Sequence, residues 1–257
     1  MADGNLYIIS TPIGNLEDIT LRALRILKEV DLIAAEDTRH SSKLLNHYGI
    51  SKPLISYWSE KEKVRSNEII EKLKSGLSVA LISDAGTPGI SDPGAVLIKN
   101  AIEEDINIIP VPGPSAVIAA LSASGISAEE FTFIGFLPPK ESHRQKRLKE
   151  LSLEMRTLIF YEAPHRIFET LADMEEILGQ RNAALVKEIT KIHEEIIRGS
   201  LTDVVDALEN RTIAGEYVII VEGKTKVSLT DDEALDEIRS LMKKGKGRKE
   251  LIYRNWR

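Results

Sequence analysis

The sequence predicts an α/β protein of two domains, and three observations predict it. Short β-prone runs alternate with helix-period segments, a stiff Pro-Gly-Pro-Ser tract divides the chain, and polar glycine-rich loops follow the strand-like runs. The first strand-like run is 6–9. After it, Ile19, Ala23, Ile26, Leu27 and Val30 recur at i, i+4, i+7, i+8 and i+11, which is one helix face. Strands at 32–35, 54–56 and 79–82 alternate with helices at 38–47 and 61–75, the second helix stopped by Gly76, a residue suited to a left-handed helix end. A helix at 95–104, a strand at 107–111 and Pro112-Gly113-Pro114 close a first domain over 1–114. The pattern then repeats over 115–225, with strands near 131–134, 158–161, 184–187 and 217–221 and helices near 144–151, 164–178 and 201–208. Residues 226–257 are charged and helix-prone, an appendage to the two domains.

Composition narrows the function classes. With 257 residues, 42% hydrophobic and 29% charged, the chain can bury two modest cores and does not resemble a disordered or fibrous protein. It has no cysteine, which excludes disulfides, thiolate metal ligands and cysteine nucleophiles and suits a reducing compartment. Met1-Ala2-Asp3-Gly4-Asn5 lacks the features of a leader, and no apolar run approaches the roughly 20 residues of a membrane span, so no membrane association and a cytoplasmic location are expected. A net charge of −6 argues against holding nucleic acid by bulk electrostatics, so an RNA ligand needs a local basic patch. The densest cluster is His143, Arg144, Lys146, Arg147 and Lys149. It is either a solvated helix face or a phosphate contact, and Arg144, Lys146 and Arg147 are taken as the RNA-binding candidates.

The unusual residues lie in four loops: Ser10-Thr11-Pro12-Ile13-Gly14-Asn15, Glu36-Asp37-Thr38-Arg39-His40, 83–89 and 112–116. Each begins where a strand is expected to end, so in a parallel sheet all four share the edge at which open α/β sheets bind ligands. The second half adds Glu162-Ala163-Pro164-His165-Arg166 after Tyr161, and Glu188 after Lys187. A cleft between two such edges is expected. Asp84 and Asp37 offer carboxylates to a ribose diol or an ammonium group, Gly86, Gly89 and Gly113 permit close backbone approach, and Ser115 can present its hydroxyl at a helix start. The fingerprints G-x-G-x-x-G and G-x-x-x-x-G-K-[ST] are both absent, which removes the main support for a nicotinamide or P-loop nucleotide site. No metal site is expected: His40 and His47 sit about 10 Å apart at roughly 1.5 Å per helical residue, too far to share one ion.

Taken in order, Thr11-Pro12-Ile13-Gly14-Asn15-Leu16, Ala35-Glu36-Asp37-Thr38-Arg39-His40, Ser83-Asp84-Ala85-Gly86-Thr87-Pro88, Pro112-Gly113-Pro114-Ser115-Ala116, Gly135-Phe136-Leu137-Pro138, Phe160-Tyr161-Glu162-Ala163-Pro164-His165-Arg166 and Glu188-Ile189-Thr190-Lys191 resemble the tetrapyrrole methylase superfamily. Within it they resemble the ribosomal RNA small subunit methyltransferase I family, cytidine-2′-O-methyltransferases. The resemblance runs from about residue 6 to 223. It implies the class III methyltransferase fold of two α/β domains, S-adenosylmethionine in the cleft between them, small-subunit (16S) ribosomal RNA or the 30S subunit as substrate, and a homodimer. By position it places Pro12, Asp84, Ala85, Gly86, Thr87, Ser115, Ala116, Tyr161 and the turn Ala214-Gly215-Glu216 at the cofactor. The chain departs from the family at its end, where Lys243-Lys244-Gly245-Lys246-Gly247-Arg248-Lys249 is soon followed by Trp256-Arg257 instead of a longer helical tail.

Methyl transfer to a ribose hydroxyl needs in-line alignment and a way to remove the hydroxyl proton. Glu36, Arg39, Glu162, Lys187 and Glu188 are the catalytic candidates, each at a strand-end loop, with no choice among them from the sequence. Each has an ordinary reading too. Asp84 can cap a turn, Glu36 or Asp37 can pair with Arg39 on the surface, and Glu162 can pair with Arg166 one helical turn away. Two rival functions remain: methylation of a corrin ring or a protein side chain on the same scaffold, and a non-catalytic RNA-binding assembly factor.

Overall fold

A computed structural model describes residues 3–59, 62–209 and 211–225. The appendage expected over 226–257, with its basic tract, and Lys61 at the start of one expected helix lie outside the described residues. The described strands and helices lie in one compact unit, Met1–Gly223, which contains two sheets.

The first sheet is wholly parallel. Strands β1 (Leu6–Ile9), β2 (Leu32–Ala35), β3 (Leu54–Ser56), β4 (Val79–Ile82) and β5 (Ile108–Val111) stand in the order β3-β2-β4-β1-β5. Their near-continuous apolar sequences follow from burial on both faces. On one face α1 (Leu21–Glu29) and α2 (Thr38–His47) bring Ala23, Ile26, Leu27 and Leu45 against Ile9, Ile33 and Ile82. On the other, α3 (Glu62–Lys74) and α4 (Ala95–Glu103) bring Ile69, Leu73, Leu97 and Ala101 against Leu6, Val79 and Leu81. The period-2 alternation of strand side chains sorts these residues between the two faces. Thr20 starts α1 by accepting the Ala23 amide at 3.1 Å and Asp37 starts α2 by accepting that of Arg39 at 2.8 Å, caps usually worth about 1 kcal/mol each.

The topology opens a crevice. The helices after β1 and β4, which are neighbours in the sheet, leave to opposite faces, so the loops at their carboxyl ends diverge. That is the switch point at which open α/β sheets bind ligands.

After Pro112–Ser115, α5 (Ala116–Ser124) packs Val117, Ala120 and Leu121 on one face of the second sheet. This sheet comprises β6 (Phe131–Phe136), β7 (Thr157–Glu162), β8 (Asn182–Lys187), β9 (Glu195–Ser200) and β10 (Tyr217–Val221), in the order β6-β7-β10-β8-β9. Its other face is covered by α6 (Glu141–Leu151), α7 (Ile167–Leu178) and α8 (Leu201–Leu208), which surround Phe160, Leu185 and Ile219. Only β6 and β7 pair in parallel; β10 runs antiparallel to β7 and β8, and β8 antiparallel to β9. A simple repeat of the first half's pattern therefore does not describe the second sheet. Strand β9, absent from the sequence reading, is an edge strand whose residues are all at least partly exposed, so it lacks a run of buried apolar residues.

Candidate active site

The four polar loops of the first half lie along one edge because all five strands point the same way, and they are tied together there. Thr11 and Gly86 exchange backbone hydrogen bonds at 2.9 and 3.1 Å, and the Ser10 and Thr87 hydroxyls meet at 2.8 Å. The Thr11 hydroxyl donates to the Ser83 carbonyl at 3.1 Å, and the Asp37 amide donates to Asp84 Oδ1 at 3.1 Å. Pro12 is buried, Asp84 and Thr87 half-buried, Ala85 exposed and Gly86 buried. Gly86 has φ +78°, a left-handed value that favours glycine. Gly113 is required by proximity: a Cβ there would stand 2.9 Å from Ser10 Cβ, so a side chain would push the Pro-Gly-Pro loop off the loop after β1.

The carboxylates in this crevice repel one another. Burial raises the proton affinity of Glu36, with Asp92 and Asp84 adding to it. Burial likewise raises Asp92, partly offset by a hydrogen bond from Ser83, with Asp84 again adding. Such a region favours a cation. Asp92 is the site residue that sequence reasoning missed. The signal was the Ser91-Asp92-Pro93-Gly94 turn, just beyond the point where the loop was taken to end at Gly89.

The second sheet faces the same crevice. The phenol of Tyr161 is pushed up, first by burial and then by Asp92, so the end of β7 lies within electrostatic reach of the loop after β4. Phe133 and Phe136 flank Tyr161 with ring centroids 5.0 and 5.6 Å away. Lys191 lies against the loop after β1: a Cβ on Gly14 would meet Lys191 Cγ at 2.5 Å. Its ammonium binds Glu188 Oε1 at 2.8 Å and Glu216 Oε2 at 2.9 Å. Glu188 Oε1 also accepts the Glu216 amide at 2.9 Å, and Glu188 holds a left-handed φ of 49°. The turn at Ala214, Gly215 and Glu216 is thus braced from below. Ser115 and Ala116, both half-buried, begin α5 immediately beyond Pro114.

Several sequence expectations need correction. Glu162 is no cleft group: it is 2% exposed, and its oxygens are taken by Arg166 at 2.5 Å, by the Thr170 hydroxyl at 2.6 Å and by the Ala163 amide at 2.8 Å. The i,i+4 pairing is the reading the geometry supports. Arg144 cannot reach a phosphate, because it is 2% exposed and its Nε binds Asp173 Oδ2 at 2.5 Å. Lys146 and Arg147 are exposed on the same helix, Arg147 pairing with Glu150 at 2.9 Å.

The other catalytic candidates fall into different settings. Arg39 points outward, 89% exposed at its side chain and paired with Asp37, whose carboxyl it holds down at about 2. Lys191 holds Glu188 below the usual carboxylate range, which suits bracing better than proton acceptance. Lys187 is half-buried at the end of β8, and Glu36 is half-buried among the acids. Among the described residues no group of three or more histidines and carboxylates is arranged to hold a metal ion.

Comparison with known proteins gives consistent results. The family model described as Tetrapyrrole (Corrin/Porphyrin) Methylases matches residues 5–205. A protein of Synechocystis named Ribosomal RNA small subunit methyltransferase I is 47% identical over 94% of this chain and 88% of its own length. A protein of the same name from Bacillus subtilis is 44% identical over 97% of this chain and 88% of its own. Among solved structures, a uroporphyrin-III-C-methyltransferase from Thermus thermophilus superposes with a TM-score of 0.61 at 20% identity, covering 85% of this chain and 94% of that one. A diphthine synthase superposes with a TM-score of 0.65 at 14% identity, covering 86% and 91%. These two likenesses concern the fold alone.

Proposed function

We propose that this chain, which belongs to the tetrapyrrole methylase family and within it to the ribosomal RNA small subunit methyltransferase I proteins, is an S-adenosylmethionine-dependent RNA methyltransferase that acts on the ribose 2′-oxygen of a cytidine in small-subunit ribosomal RNA. The observation that carries the cofactor assignment is the acidic crevice at the switch point. S-adenosylmethionine has a sulfonium, an ammonium and a carboxylate, hence a net positive charge, and the raised proton affinities of Glu36 and Asp92 describe a region that a cation relieves. Gly86, with its left-handed φ, and Gly113, packed against Ser10, let the loops after β1, β4 and β5 close up on one another at the crevice. Pro12, Asp84 to Thr87, Ser115, Ala116, Tyr161 and the 214–216 turn are the groups that would hold it.

The cofactor supplies an electrophilic methyl carbon on sulfur. The chain's task is to align the 2′-oxygen with that carbon and to take the hydroxyl proton as the C–O bond forms and the C–S bond breaks. Of the remaining candidates Glu36 is best suited as proton acceptor, since burial and its acidic neighbours raise its proton affinity. Lys187, half-buried at the end of β8, is the cationic candidate for stabilising the developing alkoxide. Near-half identity with proteins named for ribosomal RNA methylation, against a shared fold alone with the tetrapyrrole and diphthine enzymes, favours RNA over a corrin ring or a protein side chain.

The reading includes a cytoplasmic homodimer, which the family resemblance supports. Among the described residues no helix is long and apolar enough to cross a membrane. The test is transfer of a labelled methyl from S-adenosylmethionine to 30S subunits from cells lacking the gene, with the product mapped by resistance of the 2′-O-methylated linkage to alkaline cleavage. Label on a base or on protein refutes the reaction assigned here, and sedimentation as a monomer at micromolar concentration refutes the dimer.

A further inference from the structure

Beside the cofactor loops lies a groove of about 350 Å3, lined by Pro12 and Asp84 and by His40, Lys43, Leu44 and His47 of α2. The four helix residues stand at i, i+3, i+4 and i+7, a single face. His40, Lys43 and His47 are exposed, and among the described residues none of the three forms an ion pair, although the chain carries a net charge of −6. Among the described residues, exposed cations without an ion pair also occur on α6, at Lys146 and Lys149, so it is the position of the α2 face beside Pro12 and Asp84 that singles it out. The groove wall is held in shape by the Tyr48 hydroxyl, which donates to the Leu16 carbonyl at 2.5 Å.

We infer that this groove is where the RNA strand reaches the cofactor, with α2 rather than α6 holding the phosphates next to the target nucleotide. The inference rests on the RNA methyltransferase reading and adds a surface to it. Charge sets the direction of the strand's polar parts: the acidic crevice at Asp84 repels phosphate and accepts an uncharged ribose, while Lys43 attracts phosphate and the two imidazoles can donate hydrogen bonds to it. The volume lies in the range of small-ligand pockets, roughly 300–1,000 Å3, and suits one nucleotide unit rather than paired strands. Pro12 and Asp84 both line the groove and belong to the loops assigned to the cofactor, so the groove opens onto the reaction centre.

The test uses the full chain with Lys43→Ala, Lys43→Glu and His40→Ala/His47→Ala, beside a Lys146→Ala/Arg147→Ala control on α6. Each is titrated with S-adenosylmethionine by calorimetry and with 16S ribosomal RNA at several salt concentrations. All these positions are exposed, so the fold should tolerate the changes. Lys43→Ala should flatten the slope of log affinity against log salt by about 0.7 to 0.9, the loss of one phosphate contact, and Lys43→Glu should weaken RNA binding at least tenfold at low salt. Cofactor affinity should stay within twofold. Unchanged RNA affinity and slope in the α2 variants, or a loss confined to the α6 control, overturns the inference while leaving the RNA reading standing. Wild-type chain that binds S-adenosylmethionine but neither binds nor methylates the RNA, free or within 30S subunits from cells lacking the gene, overturns both.

Discussion

Replacing Arg144 by Ala separates a structural arginine from an RNA-binding one. Its side chain is 3% exposed and that of Asp173 9%, with Arg144 Nε 2.5 Å from Asp173 Oδ2. Gln145 occupies the other Asp173 oxygen at 2.9 Å, and the Pro139 carbonyl accepts from Arg144 Nη1 at 3.4 Å. The neighbouring Glu169 is 3.7 Å from the guanidinium but 69% exposed, so solvent screens it and it adds at most about 1 kcal/mol. Truncating Arg144 leaves Asp173 buried with one amide partner. Breaking a buried pair in this way costs about 3–5 kcal/mol, a large share of the roughly 5–15 kcal/mol that holds a protein folded. Urea denaturation should show that loss as a lower midpoint, and the double variant Arg144→Met/Asp173→Leu should recover most of it because no charge is then stranded. At a temperature where Arg144→Ala remains folded, the salt dependence of RNA binding should match wild type. A stability loss under about 1 kcal/mol together with a slope flattened by about 0.7 would refute the burial argument and return Arg144 to a phosphate.

Four further outcomes follow from the crevice. Ionised Glu36 and Asp92 favour a cationic ligand, so cofactor affinity should be full above their raised titration range and fall as the pH drops through it; calorimetry across the acid range showing affinity constant there contradicts the fit. For the free protein the sign is opposite: the folded state holds these protons to higher pH than the unfolded state does, so these two groups should lower stability as pH rises from the ordinary carboxylate range to the raised one, as urea midpoints can report. Asp84→Ala should weaken S-adenosylmethionine by about 1.5–3 kcal/mol, the usual worth of a charged hydrogen bond, and an unchanged dissociation constant would remove Asp84 from the cofactor site. Gly113→Ala should cost about 1–3 kcal/mol of stability, since its Cβ would lie 2.9 Å from that of Ser10, and should weaken cofactor binding as the loop moves; a variant as stable as wild type would show that the contact relaxes freely.

The first sheet was legible because four of its five strands are apolar runs ending in a polar loop, and a parallel sheet gathers such loops on one edge whatever the details of packing. Strand β9 and the antiparallel pairings of the second sheet were not, because strand direction depends on connections that local periodicity does not encode. Arg144 had a readable signal that charge counting obscured. With Leu148 and Leu151 it falls at i, i+4 and i+7, the buried face of α6, although its partner Asp173 lies on α7 and is not recoverable from spacing. Glu162 and Arg166 were readable as a pair but not as a buried one. Asp92 acquires meaning only beside Glu36 and Asp84, which the fold brings together from separate loops.

Lys191 occupies the space that a side chain on Gly14 would need, and its ammonium ties Glu188 to Glu216. Gly14 also lines the groove beside α2. A ligand that shifts the loop after β1 therefore presses on the same lysine that supports the 214–216 turn. Whatever coupling ligands on either side of this strut have is reciprocal: the factor by which an occupied groove changes affinity at the turn equals the factor by which an occupied turn changes affinity in the groove. Lys191→Ala would remove this contact between the loop after β1 and the 214–216 turn.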